Sequence, residues 1–85
     1  VELKGDMSII ASSTNYNLVV GDELNPINEE YRSNYTYKST DDKILSVDSS
    51  GKVKALSKGE AKLVVYIKGD IYGRINFNIR FWWSI

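Results

Sequence analysis

The chain has 85 residues, which is the size of one small domain. Its 11 Lys and Arg residues balance its 11 Asp and Glu residues, so nucleic acid and anionic lipid meet no general electrostatic attraction. It contains no cysteine and no histidine, which excludes disulfides, Cys/His zinc sites, thiol nucleophiles and the usual general base at neutral pH. These exclusions favour a domain without catalysis or a cofactor.

The chain shows no segment for membrane insertion or export. No apolar run approaches the ~18 residues that span a bilayer, and no basic segment followed by an apolar stretch opens the chain as in a signal peptide. The sequence starts abruptly at Val1. We therefore expect residues 1–85 to be a single domain cut from a longer protein, with no membrane insertion.

In chain order, the N-terminal half predicts short strands separated by polar segments. Residues 8–11 (SIIA) favour a first strand, and residues 17–20 (NLVV) lead into the segment GDEL. The second strand, over residues 24–27, is short and contains Pro26, which marks an edge or a strand end. Residues 28–34 (NEEYRSN) are expected to be a polar connection.

The middle of the chain reads as three strands and a tight turn. Tyr35, Tyr37 and Ser39 alternate with polar residues, as a strand with one buried face requires. Residues 45–47 and 53–55 flank the segment DSSG, in which Gly51 supplies the positive φ of a turn. We predict positive φ at Gly51 and also at Gly59, since each glycine lies between two strands.

The last third of the chain carries the clearest strand signal. In two segments an apolar residue stands at every other position. This alternation predicts that the apolar residues of both segments face the same core. The two apolar sets are Ala61, Leu63, Val65, Ile67 and Ile75, Phe77, Ile79, Phe81. Residues 68–73 (KGDIYG) supply the turn of a hairpin between them.

About seven short strands at intervals of roughly 8–12 residues predict an all-β fold, a Greek-key β-sandwich. Residues 39–67 also follow the outline S..D..I.SVD.SG.V.AL.KG.A.LVV. This pattern resembles the bacterial immunoglobulin-like domain, group 2, over residues 17–81. Tyr37 stands where that family usually has a core tryptophan, and we expect its hydroxyl to have a partner.

The resemblance implies an Ig-like fold and a non-catalytic role. Domains of this group occur in bacterial surface proteins and some phage virion proteins, which implies an extracellular or virion location. The expected function is that of a spacer or adhesion unit. Its partners would be neighbouring domains of the same chain, and a host protein or a surface glycan; nucleic acid is not expected. The alternative is a carbohydrate-binding accessory module of a secreted glycan-processing enzyme.

Three aspartates form the single candidate metal site. Asp41, Asp42 and Asp48 together offer carboxylate oxygens of the kind that Ca²⁺ prefers, and calcium binding has been suggested for some members of the similar family. Their spacing matches no dedicated calcium loop. The favoured interpretation is that each one caps a turn through side chain to backbone hydrogen bonds.

Aromatic residues near the C-terminus are the candidate contact site. Trp82 and Trp83, with Tyr66 and Tyr72, are interpreted as core closure or a contact with a neighbouring domain, and alternatively as a platform for sugar rings. Adjacent residues on a strand point to opposite faces, so both tryptophans cannot serve one surface.

Four further tyrosines and two acidic pairs are also candidate sites. Tyr16, Tyr31, Tyr35 and Tyr37 favour a core or half-core position over a protein-binding face. The acidic pairs at residues 22–23 and 29–30 are interpreted as solvated loop charges rather than a glycosidase pair. Residues 34–36 (NYT) fit the N-glycosylation sequence, which we expect to be unused in a bacterial or viral protein.

Overall fold

A computed structural model describes residues 5–81 of the chain. The described residues form one turn of α-helix, one 3₁₀ helix and seven strands. In chain order they are α1 (Met7–Ile10), β1 (Asn15–Val19), β2 (Glu23–Leu24), the 3₁₀ helix (Glu29–Asn34), β3 (Thr36–Ser39), β4 (Leu45–Val47), β5 (Val53–Ala55), β6 (Gly59–Ile67) and β7 (Asp70–Arg80).

The strands make two packed sheets. The larger sheet has the order β1-β7-β6-β3, and the smaller has the order β2-β5-β4. All pairings are antiparallel except that of β1 with β7, which is parallel. The buried core is drawn from both sheets, from Leu45 and Val53 on one side and Leu63 and Ile75 on the other. The mostly-β architecture of two packed sheets is compatible with the predicted β-sandwich.

The hairpin of β6 and β7 supplies most of the core, as its alternation predicts. Ile75, Phe77 and Ile79 are at most 1% exposed, and Leu63 and Val65 are fully buried. Ala61 lies opposite Phe77 and is also buried. Ile67 and Phe81, at the outer ends of the two apolar sets, are only half-buried. The predicted core face is therefore confirmed along the hairpin and thins at its ends.

A two-residue turn closes this hairpin. Its central residues Lys68 and Gly69 both have positive φ, 50° and 85°, as a type I′ turn requires. That turn type matches the right-handed twist of the two strands, so it favours the register in which Ile67 lies opposite Asp70. Continued without interruption, this register would place Leu63 opposite Arg74. The register shift after Val65, at which Tyr72 is the extra residue of β7, places Leu63 opposite Ile75 instead, so the bulge brings the two apolar sets to the same face of the sheet.

The first predicted strand is wrong. Residues 8–11 belong to α1 and its end, not to a strand, although Ala11 makes one isolated bridge with Ile27. The reason is local capping. The Asp6 carboxylate accepts hydrogen bonds from both the backbone N–H and the hydroxyl of Ser8, which stabilises a helical turn at this point. The turn buries Ile10 against the core and leaves Ile9 exposed.

The segment around Pro26 also differs from its prediction. β2 ends at Leu24, and Ile27 is buried without belonging to a strand. The Asn25 side chain accepts from the Ile27 N–H at 2.9 Å and donates to the Ser50 carbonyl at 2.9 Å. These bonds, with the missing N–H of Pro26, replace a strand ladder. The expected polar connection that follows contains the 3₁₀ helix, whose Arg32 guanidinium donates to the Ile27 carbonyl at 2.8 Å.

Tyr37 and Gly51 form the contact that joins the turn after β4 to the larger sheet. The Tyr37 ring packs against the core, and its hydroxyl donates to the Arg32 carbonyl at 2.7 Å, so the expected partner is present. Gly51 is buried with φ +91°, and a β-carbon there would lie 2.9 Å from the Tyr37 ring. The predicted positive φ is confirmed at Gly51 and at Gly59, where φ is +147°.

We predict that Gly51→Ala destabilises the domain by more than Gly21→Ala. Both glycines have positive φ, but a β-carbon at Gly21 meets no atom within 4 Å. Gly21→Ala should therefore lower the free energy of unfolding by roughly 1 kcal/mol, through the backbone alone. Gly51→Ala adds the contact with the Tyr37 ring. Urea denaturation of the two variants measures the difference, and equal losses would contradict the contribution of the ring.

Candidate functional site

The structure uses the three candidate calcium ligands in two separate turns. Asp41 follows β3, and its carboxylate accepts from the Lys43 N–H at 3.0 Å. Asp48 follows β4, and one carboxylate oxygen accepts from the Ser50 hydroxyl and N–H and from the Lys52 N–H, at 2.6, 2.8 and 3.1 Å. These bonds are the turn-capping role that the sequence favours. Asp42 is exposed in the turn after Asp41.

Within residues 5–81 no three acidic side chains are grouped so that they could hold a metal ion. Asp41 and Asp48 precede and follow β4, so the strand separates them. Because the Asp48 hydrogen bonds act on the ionised carboxylate, they hold its pKa below the ordinary value of 3.8, the Ser50 hydroxyl having the largest effect. The calcium site stays a prediction from the sequence.

The aromatic candidates are divided between two faces. Tyr66 lies opposite Thr36 and Ile71 on the outer face of the larger sheet. Tyr72 lies at the irregularity in the β6–β7 pairing and packs toward the core, with its ring 5.1 Å from that of Tyr35. Tyr66 and Tyr72 therefore do not form one coplanar platform. Trp82 and Trp83 lie outside the described residues.

The four other tyrosines support the core rather than a binding face. Tyr16, Tyr31, Tyr35 and Tyr37 are all half-buried against the apolar cluster, and Tyr16 stacks on Phe77 with ring centroids 5.3 Å apart. Burial raises the pKa of both Tyr35 and Tyr37, because it disfavours the charged phenolate. The half-core interpretation of Tyr35 and Tyr37 is confirmed by their packing.

The acidic pairs serve local structure. The Asp22 carboxylate accepts from the Val19 N–H at 2.9 Å, and Glu23 forms an ion pair with Lys52 at 3.1 Å. Glu29 and Glu30 lie in the first turn of the 3₁₀ helix. The Asp22 bond occupies an N–H on the outer edge of β1, which hinders the pairing of that edge with another strand.

Sequence reasoning missed an array of amide side chains on the outer face of the larger sheet. The parallel pairing of β1 with β7 places Asn15 opposite Asn76 and Asn17 opposite Asn78. On the next strand, Lys62 lies opposite Asn76 and Glu60 opposite Asn78. The result is two polar rows across three strands, which we call the amide rows, defined by Asn15, Asn17, Asn76, Asn78, Glu60 and Lys62.

The amide rows line an open concavity of about 610 Å³ on this face, with Thr40 at its border. The Asn76 amide donates to the Asn15 side-chain oxygen at 3.0 Å, so that pair is partly satisfied. The Asn17 and Asn78 side chains are exposed and make no hydrogen bond with another described residue. Their amide groups remain open to donate to and accept from a ligand.

The signal for this array is partly visible in the sequence. Asn76 and Asn78 are the polar half of the alternation in β7, and Asn15 and Asn17 are a second pair at the same spacing. What the sequence does not show is that β1 and β7 are neighbours. They are about sixty residues apart along the chain, so their register is known only from the tertiary structure.

Comparisons with known proteins identify no family. No model of a protein family matches the chain, and no curated protein is similar to it in sequence. Neither helix in the described part of the chain has the length and apolar character that crossing a membrane requires.

We predict that the hydrogen bonds to Asp48 make stability depend on pH in the acid range. Since the folded-state pKa is lowered, the stabilisation is present above the unfolded pKa near 3.8 and is lost as the pH falls through the folded value. Asp48→Asn should flatten this dependence below about pH 4. The measurement is the free energy of unfolding as a function of pH, with the exposed Asp42→Asn as the matched control. Identical profiles for the two variants would refute it.

We also predict that millimolar Ca²⁺ leaves the melting temperature unchanged. An ion that binds only the native state raises it by mass action, but here the Asp41 and Asp48 carboxylates already accept hydrogen bonds from their own turns. Thermal unfolding with Ca²⁺ and with Mg²⁺ provides the test. A rise specific to Ca²⁺ that disappears in Asp41→Asn would establish the calcium site instead.

Proposed function

We propose that this chain is a non-catalytic, immunoglobulin-like module that carries tension as a spacer in a bacterial surface protein or a phage virion protein. In such a setting it works outside the cell, between neighbouring domains of the same chain. The single observation that carries the proposal is the geometry of its terminal strands. The chain enters near one end of the molecule and leaves β7 at the other. Its first and last strands in chain order, β1 and β7, are neighbours and run parallel.

The order of the strands supports the immunoglobulin-like assignment. In that fold the chain passes repeatedly between two sheets, with one sheet containing the first, second, fourth and fifth strands and the other the third, sixth and seventh. Here β2, β4 and β5 share one sheet, and β3, β6 and β7 share the other with β1. Strands β2 to β7 are thus divided as in that fold, whereas β1 departs from it by pairing with β7.

The two ends of the described chain lie far apart. Gly5 donates its N–H to the Tyr72 carbonyl, close to the turn that begins β7. Arg80 ends β7 and accepts from the Val20 N–H at 2.8 Å. Between Tyr72 and Arg80 a strand spans roughly 26 Å at about 3.3 Å per residue, in a molecule of 39 × 22 × 20 Å. Modules joined at such ends would extend as a rod.

Parallel pairing determines how the ends respond to tension. A force on the N-terminal side pulls β1 toward its own start, and a force on the C-terminal side pulls β7 toward its own end. Because the strands are parallel and paired from Asn15–Asn76 to Val19–Arg80, these forces load their hydrogen bonds in shear and at the same time. In an antiparallel terminal pair the bonds would open one after another. The parallel arrangement suits a spacer under load, because several hydrogen bonds resist the force together.

The residue inventory and the turns support a role without catalysis. Histidine and cysteine are absent from the sequence, and the candidate carboxylates of Asp22, Asp41 and Asp48 accept backbone hydrogen bonds. The carbohydrate-binding accessory module, as an aromatic platform of Tyr66 and Tyr72, is less favoured because the two rings belong to different faces.

The test is single-molecule pulling on a tandem array of the chain. We expect discrete unfolding events, one for each module. Val20→Pro should lower the unfolding force, because it removes the hydrogen bond from the Val20 N–H to the Arg80 carbonyl. Val19→Pro is the matched control, since the Val19 N–H points away from β7 to Asp22. Modules that extend without a resolvable force peak, or equal forces in the two variants, would contradict the proposal.

A further inference from the structure

The outer face of the larger sheet is chemically distinct from the rest of the molecule. It carries the amide rows in its middle, and basic side chains stand around them. Arg80 follows Asn78 on the same face of β7, and Lys62 belongs to the rows. Lys38 lies on β3, opposite Val64 of β6. We infer that this face is a binding site for an acidic oligosaccharide, a ligand with carboxylate or sulfate groups among its hydroxyls.

The charge of this face favours an anion. Lys38, Lys62 and Arg80 are exposed, and their side chains make no ion pair with a described residue. Glu60 is the one carboxylate in the rows. Arg74, also on this face, already has an interaction partner and is not counted among the free cations. Three free cations against one carboxylate give this face a positive excess, although the whole chain is neutral.

The amides favour hydroxyl groups beside that charge. An asparagine side chain offers both a donor and an acceptor, and a sugar hydroxyl needs both at once. Asn17 and Asn78 are adjacent across the strand pair with this capacity open, so two neighbouring hydroxyls can each be bound. The concavity of about 610 Å³ lies within the ~300–1,000 Å³ that ligand sites occupy.

Other occupants fit less well. If two copies of the chain met through this face, two concave surfaces would be opposed and their exposed cations would repel each other. Single-stranded nucleic acid is bound by aromatic side chains on which bases stack, whereas the amide rows themselves are asparagine, glutamate and lysine. The site does not depend on the spacer function, because it uses the outer surface of the sheet and neither end of the chain.

Titration of the ¹⁵N-labelled chain, followed by the Asn side-chain amide signals, tests the site. The acidic probes are trigalacturonate and a heparin-derived tetrasaccharide, and the methyl ester of trigalacturonate is the uncharged control. We expect millimolar binding of the acidic probes that shifts Asn17 and Asn78, and weaker binding of the ester. Raising the salt to 1 M, where the Debye length falls to about 3 Å, should weaken the binding of the acidic probes and leave the binding of the ester unchanged.

Charge variants distinguish this site from adventitious binding. Lys62→Gln and Arg80→Gln should each weaken the binding of the acidic probes roughly two- to fivefold, which is what the loss of an exposed ion pair costs. Glu60→Gln should strengthen them, because it removes the only like charge in the rows. Lys54→Gln on the opposite sheet is the matched control and should change nothing. All four side chains are exposed, and the dispersion of the same spectra verifies folding.

Each contrary result overturns the inference. If neither acidic probe shifts the Asn17 and Asn78 signals, the face is not a site for acidic sugars. If Glu60→Gln weakens binding, the carboxylate is accepting from hydroxyls and the ligand class is neutral. If an oligothymidylate binds this face more tightly than both sugars, the site belongs to nucleic acid.

Discussion

The pairing of β6 with β7 is the constraint on which the rest of the molecule depends. The inward positions from Ala61 to Val65 and from Gly73 to Ile79 are apolar or glycine, and a slip of one residue in β7 would put Arg74, Asn76 and Asn78 in the core. The two-residue turn at Lys68 and Gly69 sets the register at the tip, and the bulge at Tyr72 shifts it by one residue, so that the two apolar sets share a face. β3 then pairs with one side of the hairpin and β1 with the other, so the whole larger sheet is arranged by it.

The same alternation that builds the core also produces the outer surface. In β7 each buried side chain is followed by an exposed one, so a strand that contributes Ile75, Phe77 and Ile79 inward must present Asn76, Asn78 and Arg80 outward. The same strand therefore supplies both the core side chains and the side chains of the amide rows, on opposite faces. A substitution on the outer face can alter binding and leave the core packing intact.

Charge is divided between surfaces although the chain is neutral. On the smaller sheet, Glu23 pairs with Lys52, and Lys54 lies 4.0 Å from the same carboxylate. On the larger sheet, Lys62 and Arg80 have no such partner among the described residues. Exposed ion pairs contribute little to stability, so this division matters mainly for recognition. Composition alone, which reports a net charge of zero, hides it.

The sequence by itself determined β3 to β6 and the half of β7 that alternates, because a half-buried strand alternates and turns need glycines such as Gly51 and Gly59. The first residues of β7 were expected in the turn over residues 68–73, whereas the strand begins at Asp70. The sequence also indicated two packed sheets. The helical turn at Met7–Ile10 was missed, because residues 8–11 fit a short strand until the Asp6 cap is seen. Only the tertiary structure decided the parallel β1–β7 pair and hence the amide rows. Contacts between segments about sixty residues apart leave no periodic trace in either one, since strand alternation records which face is buried and not which strand is the neighbour.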